Sequence, residues 1–303
     1  MPAEPSVLMS VPQSLSRSRA SASLDLLRRL FRTRFGGIGL IILVAISALS
    51  AFAPWFASNG PMDLGSPALQ PPSWQHPLGT DSLGRDVRSV LLYAGRSSLT
   101  IGFCAAAMAF LIGGTIGAMA GYFRGAVAAV LLRVTDLFHT LPAIIIVLFS
   151  VSLMGSSFWL QVAAVALAIW PIEARIVYGQ FITLSEREFV LAARAVGLST
   201  FHIIFREILP NALPTVIVQV SLDASTAILI EAGLGFLGLS DPTVPSWGEM
   251  LNRGQEFLEL AWWMSVFPGM AICVAVLGFN LFADGVTEMF NPRASAVAPK
   301  LEG

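Results

Sequence analysis

The sequence predicts an all-α integral membrane protein of six transmembrane helices, and three observations carry that prediction. Hydrophobic residues make up 55% of the 303 positions and charged residues only 12%, with a mean hydropathy of +0.73; soluble globular chains carry about 25% charged residues. Apolar runs of the ~20 residues needed to cross a ~30 Å hydrocarbon core recur along the chain. Between them lies a polar, arginine-bearing stretch, 185–210, with helix-start and helix-stop signals of its own.

The N-terminal tail, 1–35, is rich in Ser and Arg and is expected to be disordered up to a short interfacial helix at 24–30. The first span is 36–57. Ala51, Phe52 and Ala53 have the small-x-small pattern of a cleaved signal, but a long tail precedes the run and Pro54 follows it, so an uncleaved anchor is predicted. The segment 58–96 forms an extracytoplasmic loop. Its His76, Asp81 and Asp86 are residue types that bind metals, yet their spacing fits a turn followed by capping of an amphipathic run from Val87 to Tyr93, and no metal site is assigned.

A core of helices is expected over 97–290. The second span, 97–123, carries Gly113, Gly117 and Gly121 in consecutive G-x-x-x-G spacings with Ala106, Ala109, Ala118 and Ala120 nearby, which lets a neighbouring backbone approach closely. Packing inside the chain is favoured there over a seam between subunits. The charge-free run 137–172 is too long for one helix and is broken by Gly155, Ser156 and Ser157, so it divides into spans 134–154 and 158–178. Pro142, Pro171 and Pro268 each remove a helical hydrogen bond and are expected to kink their spans.

The fifth span, 211–239, contains Asp223 and Glu231. They are eight residues apart, hence about 80° apart around the helix, with Thr226 close by. Because an unpaired ionised group costs several kcal/mol at membrane depth, Asp223, Thr226 and Glu231 are candidates for lining a translocation path; a hydrogen bond to Gln219 or to a neighbouring span, or an interfacial position for Glu231, is the structural alternative. The loop 240–259 is too apolar to be merely solvated and should fold back toward the pore mouth. Its Pro245, Ser246 and Trp247 are candidates for contact with a protein outside the membrane, with interfacial anchoring by Trp247 as the competing account. The sixth span is 260–283, followed by a cytosolic tail, 291–303.

With the N-terminus inside, only Arg85, Arg88, Arg96 and Arg253 of the 18 basic residues fall on outer segments. The positive-inside rule therefore puts both termini and the stretch 185–210 in the cytosol. In that stretch, Ser185 with Glu188 has the form of a capping box, which predicts a helix from about Glu186, and Gly197 with Leu198 behind it ends that helix. Ser199 caps a second helix that Pro210 stops. Phe189, Ala192, Ala193 and Val196 share one face of the first helix and Arg187 and Arg194 another. Such a helix pair reads as a docking element whose small alanines permit close approach, or as a capped connecting loop.

Lys300 is the only lysine and no G-x-x-x-x-G-K-[ST] loop exists, so the chain cannot cradle ATP phosphates in the P-loop manner. There is no H-E-x-x-H, G-x-S-x-G or C-x-x-C, and His76, His139 and His202 fall at different sides or depths. No catalytic residue is assigned, and the chain is not expected to be an enzyme. Cys104 and Cys273 lie in spans as apolar packing residues. A net charge of −1 gives no reason to expect nucleic-acid binding.

The sequence LAARAVGLSTFHIIFREILP, ahead of the fifth span, resembles the E-A-A-x-x-x-G loop ending in I-x-L-P of bacterial ABC-transporter permeases. Ala192, Ala193, Gly197, Leu209 and Pro210 match in register, whereas Leu191 stands where the family has glutamate and Glu207 where it has isoleucine. HPLGTDSLGRDV (76–87), RVTDLFHTLP (133–142) and FLGLSDPTVPSW (236–247) are similar to the C-type permease subunit of the dipeptide, oligopeptide and nickel importer family, so that the likeness runs from His76 to Arg293. The resemblance implies a type I importer permease of the bacterial inner membrane that forms half of a pathway for peptides or peptide-like solutes. It implies as partners a homologous second permease, two cytosolic ATPase subunits that bind the ATP and Mg, an extracytoplasmic solute-binding protein and membrane lipid. Glu188, Ala192, Ala193, Arg194, Gly197, Leu209 and Pro210 would then couple to an ATPase subunit. A channel or secondary transporter, and an importer of nickel chelates, are the alternative functions; glutathione and opines are further cargo classes.

Overall fold

The structure, a computed structural model, describes residues 28–57, 60, 63–64 and 66–290. The expected tails at 1–27 and 291–303 lie outside the described residues; of the expected interfacial helix, 28–32 are described and helical. Apart from one isolated bridge between Thr80 and Asp86, the regular elements of the described residues are helices. They are α1 (Gly36–Ala51), α2 (Ala53–Phe56), α3 (Val87–Phe123), α4 (Gly125–His139), α5 (Ala143–Met154), α6 (Phe158–Ser185), α7 (Glu188–Ala195), α8 (Thr200–His202), a π turn (Ile203–Ile208), α9 (Leu209–Phe236), α10 (Trp247–Gln255) and α11 (Trp263–Phe290).

Among the described residues four helices are long and apolar enough to cross a membrane: α3, α6, the continuous run Thr200–Phe236, and α11. The predicted six spans are modified at two places by proline. Pro54 has no N–H to offer the Ser50 carbonyl, so α1 ends at Ala51 and spans about 24 Å at ~1.5 Å per residue, short of the hydrocarbon core. The expected span 134–154 is a bent pair: α4 stops at His139, Pro142 precedes α5, and the two helices meet at 82°. The break at 155–157 falls between Met154 and Phe158.

Two spans are longer than their charge-free cores. Helix α3 starts ten positions before the predicted 97 because Asp86 caps it, its carboxylate accepting from Ser89 N at 3.1 Å. Arg96 lies inside α3 and donates to the Ser50 and Ala51 carbonyls (2.7 and 2.6 Å), so a charge that marked the end of the apolar run instead satisfies the last carbonyls of α1. Helix α6 continues past the predicted 178 to Ser185, and Pro171, like Pro268 in α11, sits inside a helix that runs on through it.

The bundle is organised around α3. Its longest contact is with α6, where a Cβ on Gly113 would meet Ala174 N at 2.9 Å, one on Gly117 would meet Tyr178 N at 2.9 Å, and one on Gly121 would meet Phe181 Cβ at 2.6 Å. The G-x-x-x-G series is therefore a backbone-to-backbone seam within the chain. Helices α9 and α11 pack on the other side of α3, and α1 lies against α11, with Gly36 and Gly285 in direct contact. Large apolar side chains such as Leu111, Val130, Leu137 and Phe149 remain exposed along the helices, as expected of a surface solvated by lipid.

Candidate functional site

The stretch 185–210 folds as two short helices hung between α6 and α9. The predicted capping box does not form: Ser185 is the last residue of α6, its hydroxyl donating to the Ile182 carbonyl (3.0 Å) and accepting from Arg124, and α7 starts after Arg187 without a side-chain cap. Glu188 opens α7 and Arg194 occupies its last turn, each at the terminus where the helix dipole favours its charge. The end of α7 is as predicted. Gly197 adopts φ +80°, its N–H reaches the Arg194 carbonyl (3.0 Å) and Leu198 N–H reaches Ala193 O (3.1 Å), closing both orphan carbonyls. Ser199 then caps α8, accepting from His202 N.

Pro210 does not stop the second helix. In an α-helix the Arg206 carbonyl would need an N–H from residue 210, and proline has none. The chain widens instead into the π turn, where Leu209 N bonds Ile204 O, and Asn211 Nδ2 donates to the Glu207 carbonyl at 2.7 Å. The helix that begins at Thr200 thus passes through Leu209 and Pro210 into α9 as one body.

The two matched alanines separate. Ala193 is 8% exposed and packs with Val190, Phe181, Ile203, Ile208 and Ala212, whereas Ala192 is exposed. The predicted face of Phe189, Ala192, Ala193 and Val196 is therefore corrected: the inward face is Val190 and Ala193, because the helix must cover the apolar inner ends of α6 and α9. Turned outward are Leu191, Val196 (80% exposed), Phe201 and Phe205, an apolar surface at one end of the bundle.

Asp223 and Glu231, predicted to line a path, are 3% and 1% exposed and point into contacts within the chain, while Thr226 between them is exposed. Glu231 Oε2 accepts from Ser98 Oγ on α3 (3.0 Å), and Ser98 Oγ in turn accepts from Trp247 N at the start of α10 (3.1 Å), with the Ser246 hydroxyl beside the carboxyl. One carboxyl so joins α9, α3 and α10. Glu231→Leu is expected to lower the thermal midpoint of the purified complex, since leaving a buried donor without its acceptor costs about 1–3 kcal/mol; Glu231→Gln keeps an acceptor and is expected to lose less. Differential scanning fluorimetry of both variants checks the order.

Asp223 accepts from Gln219 Nε2 at 2.8 Å, as one of the predicted alternatives had it, and meets Glu173 of α6, a residue not singled out from the sequence. Glu173 is fully buried and neither of its oxygens has a donor. Its sequence signal was the one carboxylate within the predicted span 158–178; Arg175 two positions later resembles an interfacial partner, but Arg175 turns outward to pair with Asp136 at 2.5 Å.

At the opposite end of the bundle, the loop before α10 folds back inward. Ser246 caps α10, and Trp247 is 1% exposed with its indole N–H donating to Leu91 O at 3.1 Å and Gly95 against its ring. Gly248 abuts Ala232, and Ser97 donates to the Pro245 carbonyl. Ser246 and Trp247, predicted to meet a binding protein, are thus interior residues; the exposed positions of this loop are Pro242 and Thr243. Asp241 ties the loop to α6 by accepting from Phe158 N (3.1 Å), and the Thr243 hydroxyl and amide hold its carboxyl below the usual carboxylate range, so this tie is present at neutral pH and is lost only in strong acid. In the first loop Asp81 accepts from Leu83 N and Arg85 N and pairs with Arg85 Nε at 2.5 Å, and His76 Nδ1 lies 3.4 Å from the capping Asp86. Each carboxylate has a structural partner, and among the described residues no His, Cys, Asp and Glu group has the geometry of a metal site.

Comparison with known proteins agrees with this geometry. The family model described as the binding-protein-dependent transport system inner membrane component matches residues 113–296, and that of the N-terminal TM domain of oligopeptide transport permease C matches 21–72. A dipeptide transport system permease protein of Alkalihalophilus pseudofirmus is 37% identical over 88% of each chain. A probable D,D-dipeptide transport system permease protein of Escherichia coli is 35% identical over 84% of this chain and 86% of its own. Among solved structures, the MetNI methionine ABC transporter in inward-facing conformations matches with a TM-score of 0.55 at 18% identity, over 66% of this chain and 96% of that one, which establishes the type I importer permease fold. The chain belongs to the family of binding-protein-dependent transport-system inner membrane components, multi-pass permease subunits of ABC importers that are not themselves the ATPase.

Proposed function

We propose that this permease forms one half of the translocation path of an ATP-driven importer of peptides or peptide-like solutes, with a homologous second permease as the other half. Two cytosolic ATPase subunits supply ATP and Mg, and an extracytoplasmic binding protein supplies the cargo. The observation that carries the proposal is the docking end: an outward apolar surface of Leu191, Val196, Phe201 and Phe205 stands on helices continuous with a membrane span. An exposed apolar patch on a polar, charge-bearing segment outside the apolar spans calls for a protein partner and not for lipid, and a helix fused to a span converts movement of that partner into movement of the span. Ala192, Glu188 and Arg194 lie on the outer side of the same helix pair, while Gly197, Leu209 and Pro210 shape it. In this reading both termini and the docking end face the cytosol, as the arginine distribution requires.

Cargo is assigned from the relatives, whose names specify dipeptides and peptides. Thr226 is the exposed member of the predicted path set and in this reading the one that faces the path; Asp223 and Glu231 act from behind it by holding α9 against α6, α3 and α10. The test is a calorimetric ligand screen of the cognate binding protein followed by uptake in proteoliposomes. Submicromolar binding and ATP-dependent uptake of a dipeptide are expected. Binding of nickel chelates with no response to peptides would overturn the cargo assignment, and uptake independent of ATP would overturn the importer assignment in favour of a channel or secondary transporter.

A further inference from the structure

We infer that Arg124 and Tyr122, at the docking end of α3, are positioning residues that transmit movement of the docking helix to α3 and through it to the folded-back loop at the opposite end of the bundle. The inference rests on the docking role proposed for α7. That role by itself engages only α6 and α9, the spans joined covalently to the docking segment.

The geometry adds a third arm. The Arg124 guanidinium pairs with Glu186 Oε1 at 3.0 Å, donates to Ser185 Oγ at 2.9 Å and reaches the Ile182 carbonyl at 3.3 Å, so it grips the junction between α6 and α7. At the other end of α7, the Arg194 guanidinium stacks over the Tyr122 ring at 5.1 Å. Tyr122 in the last turn of α3 and Arg124, the residue that caps it, therefore engage the docking segment on both sides of α7: Arg124 at 182–186 just before the helix and Tyr122 at Arg194 in its last turn. An exposed ion pair alone contributes about 0–1 kcal/mol, and the Arg124–Glu186 pair is half exposed, so stability alone gives little reason for the arrangement. Arg124 nonetheless sits at φ +52° and ψ −164°, a sparsely populated positive-φ conformation that costs a non-glycine residue roughly 1–3 kcal/mol. The backbone is bent at the α3–α4 turn in the conformation that brings this side chain onto the docking segment.

Helix α3 has 37 residues and so extends about 55 Å at ~1.5 Å per residue, longer than the ~30 Å hydrocarbon core. At its far end it carries the loop before α10: Leu91 accepts from the Trp247 indole, Ser98 accepts from Trp247 N, and Ser97 holds the Pro245 carbonyl. A single helix is thus in contact with the docking segment at one end and with the folded-back loop at the other. A rigid element biased at both ends is what coupling between two sites requires.

The experiment reads docking and coupling separately in the complete complex, purified with its ATPase subunits and reconstituted with binding protein. Arg124→Glu is expected to keep the ATPase subunits bound while lowering the amount of radiolabelled dipeptide transported per ATP hydrolysed by roughly tenfold, within the usual span of coupling free energies. Adding Glu186→Arg is expected to restore most of that ratio, since the pair is re-formed with reversed sign. Tyr122→Leu, which keeps the packing and removes the stacked cation, should lower the ratio in the same direction. If Arg124→Glu does not accumulate in the membrane, Arg124→Gln is judged by the same criteria. A transport ratio unchanged in Arg124→Glu, or not recovered in the double reversal, overturns the inference. Loss of the ATPase subunits from Arg124→Glu also overturns it, because Arg124 would then belong to the docking surface. Failure of the docking reading itself is seen elsewhere, in ATPase subunits that stay bound to Ala192→Trp.

Discussion

Ala192→Trp is expected to leave the permease folded and inserted while the ATPase subunits no longer co-purify with it. Ala192 lies on the outward side of α7 with nothing of its own chain over it, so an indole added there meets a partner and not the bundle. Truncations at interface centres commonly cost 2 kcal/mol or more, roughly thirtyfold in affinity, and an inserted ring that prevents close approach costs at least as much. The neighbouring change separates docking from folding. Ala193 is enclosed by Val190, Phe181, Ile203 and Ala212, so Ala193→Trp is expected to unseat α7 and lower the thermal midpoint of the permease alone. Co-purification and scanning fluorimetry on the two variants should move in opposite patterns; a complex that keeps its ATPase subunits with Ala192→Trp removes the docking assignment.

Gly117→Leu is expected to have the largest effect on the fold. A Cβ alone at Gly117 would lie 2.9 Å from Tyr178 N and 3.0 Å from Val177 Cβ, and closer still to the Ala174 carbonyl. Two of these are backbone atoms of α6 and the third is a Cβ fixed to it, so none can rotate away, and α3 and α6 must separate along the seam that builds the bundle. Overpacking of a core costs about 1–3 kcal/mol when side chains can shift, and this site offers no such relief. The variant is expected to be nearly absent from membranes by immunoblot, whereas Gly179→Ala, at a glycine with nothing within 4 Å, should accumulate normally. Normal accumulation of Gly117→Leu would contradict the seam.

Local signals in the sequence were reliable where a single residue type answers a single backbone need. Gly197 ends α7 because only glycine enters φ +80° without strain, and Gly155 with its serines separates α5 from α6. Hydropathy found the cores of the spans, but their ends moved wherever a charged residue had a backbone partner, as Arg96 does on α1. Pro210 shows the limit of a breaker rule: its missing N–H was absorbed by a π turn and by the Asn211 side chain, and the helix continued.

The sequence by itself determined the membrane class, the order of helices, the polar helix pair ahead of the fifth span and the family motif, because hydropathy and φ-specific residues act over a few neighbours. Tertiary structure alone decided which alanine of the pair is exposed and which is enclosed, that Trp247 is an interior anchor, that Glu173 meets Asp223, and that Arg124 reaches across to Ser185 and Glu186. Each of these depends on which distant segment fills the space beside a side chain, and residues 50 to 150 positions apart meet there by packing that no local pattern records.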